Sequence, residues 1–257
     1  MNIYGAQELI LKEIVSETKN NLILKNNVIN IALVGSFQTK EAIKNYSDLD
    51  ILFILKSDRF GEINPGIISN LKKLAEKLNK HGLEISFLSH TIFEFRHYVD
   101  ANYLIHYSWG KVFYGSKKYF SKLLNKIIKA KNFNDKNRKQ LIRHNIPHAR
   151  FNLLRKYISW NDFSETGLRR LLKLCIDGTI EICEWVLVYK RIFLKNKRGI
   201  LRKFLSEYKD WWDIKLLDEI IETRKKIANM KIDRRKTDLL VQKLVKLINY
   251  CNKKVYE

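Results

Sequence analysis

The chain has little of what marks a small, turn-rich or disulfide-stapled protein. Its 257 residues include three cysteines, two prolines and ten glycines. Cys175, Cys183 and Cys251 show no metal-ligand spacing. The first two sit inside an apolar helical pattern, so they read as reduced core thiols of a cytoplasmic protein. So few prolines and glycines exclude a fold built on many tight turns and predict long helices. No apolar run reaches the length of a membrane span, and the N-terminus lacks a signal-peptide pattern. The expectation is a cytoplasmic protein with no membrane partner. At 46% hydrophobic residues the chain is not largely disordered, and its length suffices for two domains with a substantial core.

Acidic side chains are also scarce. There are 27 Asp and Glu against 49 Lys and Arg, a net charge of +22. The imbalance is uneven, since residues 1–125 carry +4 and residues 126–257 carry +18. A basic second half attracts polyanions, of which nucleic acid is the obvious candidate. A bound nucleoside triphosphate would call for the same charge, so composition leaves both open.

Against that scarcity, the placement of a few acids in the first half is informative. Ser47-Asp48-Leu49-Asp50 heads the apolar run Ile51-Leu52-Phe53-Ile54-Leu55. A strand alternates faces at every residue, so Asp48 and Asp50 point the same way. Two neighbouring carboxylates repel unless something positive lies between them, and a divalent cation is the usual answer. Upstream, Val28 to Val34 reads as a buried strand ending in Gly35-Ser36. Glycine there lets the backbone approach an anion, and the following N–H and hydroxyl can bind phosphate. Residues 67–80 have the apolar spacing of a helix, with lysines on its other face, and His81-Gly82 ends it. Leu83 to Leu88 alternates as the next strand and carries Glu84, a third carboxylate or a surface glutamate on an edge strand.

Gly35-Ser36, ten intervening residues and Ser47-Asp48-Leu49-Asp50 together resemble the signature of the DNA polymerase beta-like nucleotidyltransferase superfamily. That group includes aminoglycoside adenylyltransferases, poly(A) polymerases, tRNA CCA-adding enzymes and the minimal nucleotidyltransferases of toxin–antitoxin pairs. The resemblance implies an α+β fold. Residues 1–120 would form a nucleotidyltransferase domain, a mixed sheet flanked by helices, and residues 121–257 a basic C-terminal helical bundle that binds substrate. It also implies two magnesium ions on Asp48, Asp50 and Glu84, ATP as donor, and in-line displacement of pyrophosphate by an acceptor hydroxyl. Glu84 would double as general base. Gly35 and Ser36 would hold the outer phosphates, while Ser47 either joins them or shapes the turn before Asp48.

Further along, Trp109-Gly110 and Tyr114-Gly115 are similar to the Gly-x-x-Leu-Tyr-Gly turn that closes this domain in adenylyltransferases, with Phe113 in place of Leu. The same segment also reads as a turn of no catalytic consequence. Leu171, Leu172, Cys175, Ile176, Thr179, Ile180, Cys183, Val186 and Leu187 form the broadest apolar stripe and predict the central helix of the bundle. Arg169, Arg170 and Lys173 fall within about one turn of it and are candidates to bind the triphosphate. Lys195, in Phe193-Leu194-Lys195, is similar to the lysine of the Ser-Lys segment in aminoglycoside adenylyltransferases, though the serine is missing. The residues by themselves read as a solvated lysine at a helix boundary. Trp211-Trp212 reads as core packing rather than a base-stacking platform. Arg143 to His148 fits the Arg-x4-His pattern of HEPN-type ribonucleases, but Pro147 argues against a helix there. His81, His90, His97 and His106 show no ligand spacing.

Three functional readings follow: nucleotidyl transfer to a small molecule, the same chemistry on RNA or protein, and an antitoxin-like, non-catalytic binding protein of the same fold. The intact acidic set favours catalysis, since nothing else gives a fold reason to hold three acids together.

Overall fold

A computed structural model describes residues 2–43, 47–57, 62–99, 101–130, 134–211 and 213–257. The chain divides into two compact units, Met1–Phe133 and Asn134–Glu257.

The first unit opens with α1 (Ile3–Asn20), capped by Asn2, whose side chain accepts from the Gly5 N–H. Ala6, Ile10 and Ile14 repeat every fourth residue and are buried on one face. A short α2 (Leu22–Asn27) leads into β1 (Val28–Leu33), followed by one helical turn, α3 (Gly35–Gln38), and β2 (Leu49–Leu55). Then α4 (Pro65–Leu78) begins with proline in its first turn, where a missing N–H costs no helical bond. A 3-10 turn, Asn79–His81, and left-handed Gly82 end it. The remaining elements are β3 (Ile85–Thr91), α5 (Ile92–His97), α6 (Ala101–Ser108), β4 (Lys111–Tyr114) and α7 (Lys117–Ala130).

The sheet order is β3-β2-β1-β4. β1 runs antiparallel to both β2 and β4, whereas β2 and β3 are parallel and joined through α4. A parallel pair needs a long crossover, and α4 supplies it. Alternation sorts β2 into two faces. Leu49, Ile51, Phe53 and Leu55 pack with Ile10, Ile14, Ile67 and Leu71, while Leu52 and Ile54 pack with Phe95, Leu104, Phe120 and Leu124. Covered on both faces, β1 and β2 read as continuous apolar runs.

The sequence expectations for β1, β2 and α4 agree with these elements to within a few residues. Strand β3 starts two residues later than expected and runs on to Thr91, whose capping box with Glu94 turns the chain directly into α5. The segment expected as a closing turn instead forms α6 and the edge strand β4. Helix α7 packs on the sheet through Phe120 and Leu124, so the first unit extends past residue 120.

The second unit is all helix among its described residues: α8 (Asp135–Ile158), α9 (Glu165–Tyr189), α10 (Lys197–Glu207), α11 (Ile214–Lys226) and α12 (Arg234–Tyr256). Every residue of the predicted stripe is buried on α9, which packs against α8, α10, α11 and α12. Trp211 is buried and donates its indole N–H to the Asp213 carbonyl at 2.8 Å, which agrees with a core role. Its neighbour Trp212 lies outside the described residues. The three cysteines are free and buried, and burial pushes the Cys175 thiol up to about 12.

Helix α8 passes through Pro147 without a break. Proline has no N–H to give the Arg143 carbonyl, and the hydroxyl of Tyr256 donates to that carbonyl instead, at 2.8 Å. In return Arg143 Nε donates to the Val255 carbonyl at 2.9 Å, one of the orphaned acceptors at the end of α12. The proline objection to a helix here therefore fails. Arg143 nonetheless serves as a clasp between α8 and α12, and it also donates to the Tyr189 hydroxyl. His148 instead lies near Asn152 and stacks at 6.3 Å from His144. Five residues apart on a helix, Arg143 and His148 point about 140° away from each other. The geometry does not favour a joint ribonuclease site.

Candidate active site

The site is built where β1 ends and β2 begins. Gly35 follows β1 with φ of 70°, a left-handed conformation that glycine adopts without a Cβ penalty. A Cβ added there would fall 2.2 Å from Oδ2 of Asp50, so a side chain at residue 35 would displace that carboxylate. The backbone reinforces the contact, because the Val34 N–H donates to the Asp50 carbonyl at 3.1 Å. The glycine turn and the second aspartate, fifteen positions apart in sequence, are thus in van der Waals contact.

The turn is also held from behind. Thr39 N–H donates to the Gly35 carbonyl, and Glu41 N–H donates to the Ser36 carbonyl at 2.9 Å. Gln38 Nε2 donates to the Trp109 carbonyl at 3.0 Å, tying α3 to the turn before β4. In that turn Gly110 approaches β1 closely, and a Cβ there would lie 3.0 Å from Cγ1 of Val34. The Trp109-Gly110 turn therefore supports the Gly35 bend. Ser36 itself is half-buried.

Asp48 and Asp50 are both half-buried. Ser47 is buried, and its Oγ accepts from the Ile43 N–H at 2.9 Å while its own N–H returns to the Ile43 carbonyl. Its hydroxyl is committed to the turn ahead of Asp48, which is the shaping role weighed above.

Register places the third acid. In the parallel pair Asp50 lies opposite Ser86, and the Leu49 N–H donates to the Glu84 carbonyl at 2.8 Å. Two residues before Ser86, Glu84 shares its face by alternation, beside Asp48 at the strand ends. It is exposed. Among the described residues, no three His, Cys, Asp or Glu side chains gather tightly enough to form a metal cage. The acids share one face and one end of the sheet without meeting at a point.

That arrangement still fits magnesium. The donors are hard oxygens, and magnesium keeps several waters and takes one or two carboxylates plus substrate phosphates. The close approach of Gly35 to Asp50 leaves the phosphate-binding turn and a carboxylate side by side, as shared coordination would require.

Sequence reasoning missed Tyr107, which stands near Asp50, and His90, which lies further along the same face of the sheet. Burial, with a smaller push from the Asp50 charge, holds the Tyr107 phenol above its usual range. The His90 ring lies 5.9 Å from that of Tyr107 and 5.3 Å from that of Phe95, and burial lowers its pKa while the Glu94 charge opposes. Tyr107 is therefore kept toward its protonated form near Asp50, while His90, opposite Ile54 and further along the same face, is kept toward its neutral form. The available signal was the two-residue alternation of Ser86, Leu88 and His90 on the face of Asp50.

The basic candidates lie in the second unit. Arg169 bonds the Ile227 carbonyl, donates to that of Met230 at 3.2 Å, and pairs with Glu165 at 2.8 Å. It staples α9 to the segment after α11, which corrects its reading as a triphosphate ligand. Arg170 is exposed and lines a small hollow with Lys156, Trp160 and Asp162. Lys173 is half-buried on α9, and Lys195 is exposed just before Asn196, the cap of α10.

Comparison with known families agrees with the geometry. Residues 11–108 match the family model described as a nucleotidyltransferase domain. That match is consistent with the DNA polymerase beta-like nucleotidyltransferase superfamily, and it spans both the Gly35 turn and the acidic strand. The first unit carries a nucleotidyltransferase domain, followed by a helical region. No curated protein matches the chain. Among the described residues no helix is long and apolar enough to cross a membrane.

Proposed function

We propose that the chain is a magnesium-dependent nucleotidyltransferase moving a nucleoside monophosphate, AMP from ATP, onto a hydroxyl of a small molecule. One observation carries the reading: the 2.2 Å approach that a Cβ at Gly35 would make to Asp50. It joins a turn suited to phosphate with a carboxylate suited to a hard cation.

In this reading the Ser36 hydroxyl and the N–H groups of its turn hold the outer phosphates. Asp48 and Asp50 hold magnesium, which when bound neutralises phosphate charge and favours ionisation of the acceptor hydroxyl. Glu84 takes the hydroxyl proton, and its exposure lets it pass that proton to water. The acceptor oxygen bonds to the α-phosphorus as the bond to the bridging oxygen breaks, and pyrophosphate leaves in line. Protonated Tyr107 stands near Asp50 without adding charge beside the acids.

The +18 carried by residues 126–257 favours a second reading, with RNA as the acceptor. Incubation with labelled ATP and cell extract tests both. Label is expected in a metabolite, label in RNA or protein supports the second reading, and no magnesium-dependent pyrophosphate release supports a non-catalytic binding protein.

A further inference from the structure

The helical unit holds a cavity of about 660 Å³ where α8 begins and α9, α10 and α12 end. That volume falls within the ~300–1,000 Å³ usual for small-molecule sites. Five of its wall residues are basic: Arg138, Lys139, Lys190, Arg191 and Lys254. Its carboxylates are already matched within the wall. Asp135 lies 2.5 Å from Arg138 and 2.6 Å from Arg191, Asp210 lies 2.8 Å from Lys254, and Glu207 lies 3.6 Å from Lys190. Hydrogen bonds from these cations and from neighbours hold all three acids below the usual carboxylate range, so they stay ionised at neutral pH. Five cations then face three anions.

Arg138 points to what the surplus is for. It is only 3% exposed, and its Nη2 donates to the Tyr189 carbonyl at 3.2 Å, yet its Nε–H is buried without a hydrogen-bond partner among the described residues. Leaving a buried guanidinium donor unsatisfied is costly, and a small shift of the side chain that let an acceptor oxygen reach it would remove that cost. The carbonyl ends of three helices draw some of the positive charge here. They do not satisfy Nε. The aromatic walls are covered, with Lys190 4.3 Å from the Tyr208 ring centre and Lys139 5.2 Å from that of Tyr189. Charge, rather than a stacked base, is what the cavity can read.

We propose that this cavity binds the phosphate group of a small phosphorylated molecule, with Arg138 as its buried donor and Lys139 and Lys190 at its mouth. Phosphate offers several charged acceptor oxygens, enough to meet a guanidinium and two ammonium groups together. Inorganic phosphate, a sugar phosphate and a nucleoside monophosphate share this chemistry. The inference does not depend on the transfer reaction.

The test is calorimetric titration of the full chain with inorganic phosphate, ribose 5-phosphate and AMP, with chelator present to suppress the magnesium-linked site. Binding of at least one is expected, and the tightest names the source. A Lys139→Met, Lys190→Met double variant should weaken it roughly tenfold or more, while Asp50→Asn leaves it unchanged. Arg138→Lys should weaken it as well. If that variant fails to fold, the double variant at exposed positions decides. The proposal is overturned if none of the three binds a chain with native circular dichroism. It is also overturned if binding is lost in Asp50→Asn and kept in the double variant.

Discussion

The two units solve different problems with the same alphabet. The first stacks helices on both faces of a sheet and places three of its acids, Asp48, Asp50 and Glu84, at one end of two parallel strands. The second is helical, strongly basic, and uses charge on itself, as the Arg143 and Arg169 clasps show. A sheet fixes side chains by register, so a site made of strand ends is positioned by backbone hydrogen bonds. Helix bundles fix their ends by side chains reaching across, so charged groups there are mostly structural until shown otherwise. The family match falls within the sheet unit, and the proposed reading places the chemistry there.

The sharpest way to break that division is to neutralise one acid. Asp50→Asn should lower magnesium-dependent pyrophosphate release by on the order of 10³-fold while circular dichroism and melting stay native. An unchanged rate would remove the acidic strand from the mechanism. Next in size is Gly35→Ala. The residue must leave its left-handed conformation or accept strain of about 1–2 kcal/mol, and its methyl group displaces the Asp50 carboxylate. Activity should fall by about 10²-fold from misplacement alone, with a lowered melting temperature. Loss of stability without loss of activity would show that the contact between turn and aspartate is only structural.

Much of this was legible because period-2 alternation is a strong signal. Asp48 and Asp50 had to share a face once Ile51 to Leu55 formed a strand, and the apolar spacing of residues 67–80 marked the helix before Glu84. Tyr107 was not legible, since its nearness to Asp50 depends on how α6 packs on the sheet. Sequence spacing brought Arg169 forward as a ligand because a cluster of basic residues looks the same whether it faces phosphate or backbone carbonyls. Pro147 misled in the opposite direction. The partner that rescues its helix is Tyr256, more than a hundred residues away.

That rescue gives the third prediction, which concerns the helical unit alone. Tyr256→Phe deletes the donor to the Arg143 carbonyl and should cost about 1 kcal/mol, the net worth of one partly exposed hydrogen bond. Transfer activity should be unaffected at temperatures where the variant is folded. A change in rate without a change in melting would mean that the α8–α12 clasp acts on substrate rather than on the bundle.

The smallest effect expected lies in the first unit and depends on pH. Glu13 on α1 is held at about 2, first by its hydrogen bond to His81 and then by Lys80, with Lys77 nearby. These partners sit at the end of α4 and just after it, so the cluster ties α1 to that helix. Because the folded pKa is depressed, the stabilisation is complete above the unfolded value of 4.5 and is lost as pH falls through about 2. The side chain is partly solvated, so screening reduces the contribution to less than about 1 kcal/mol. Thermal melts of Glu13→Gln and the parent should therefore differ slightly at pH 6 and converge toward pH 2. A difference that stays constant across that range would show that Glu13 stabilises through packing, and that charge pairing contributes little to holding the sheet unit together.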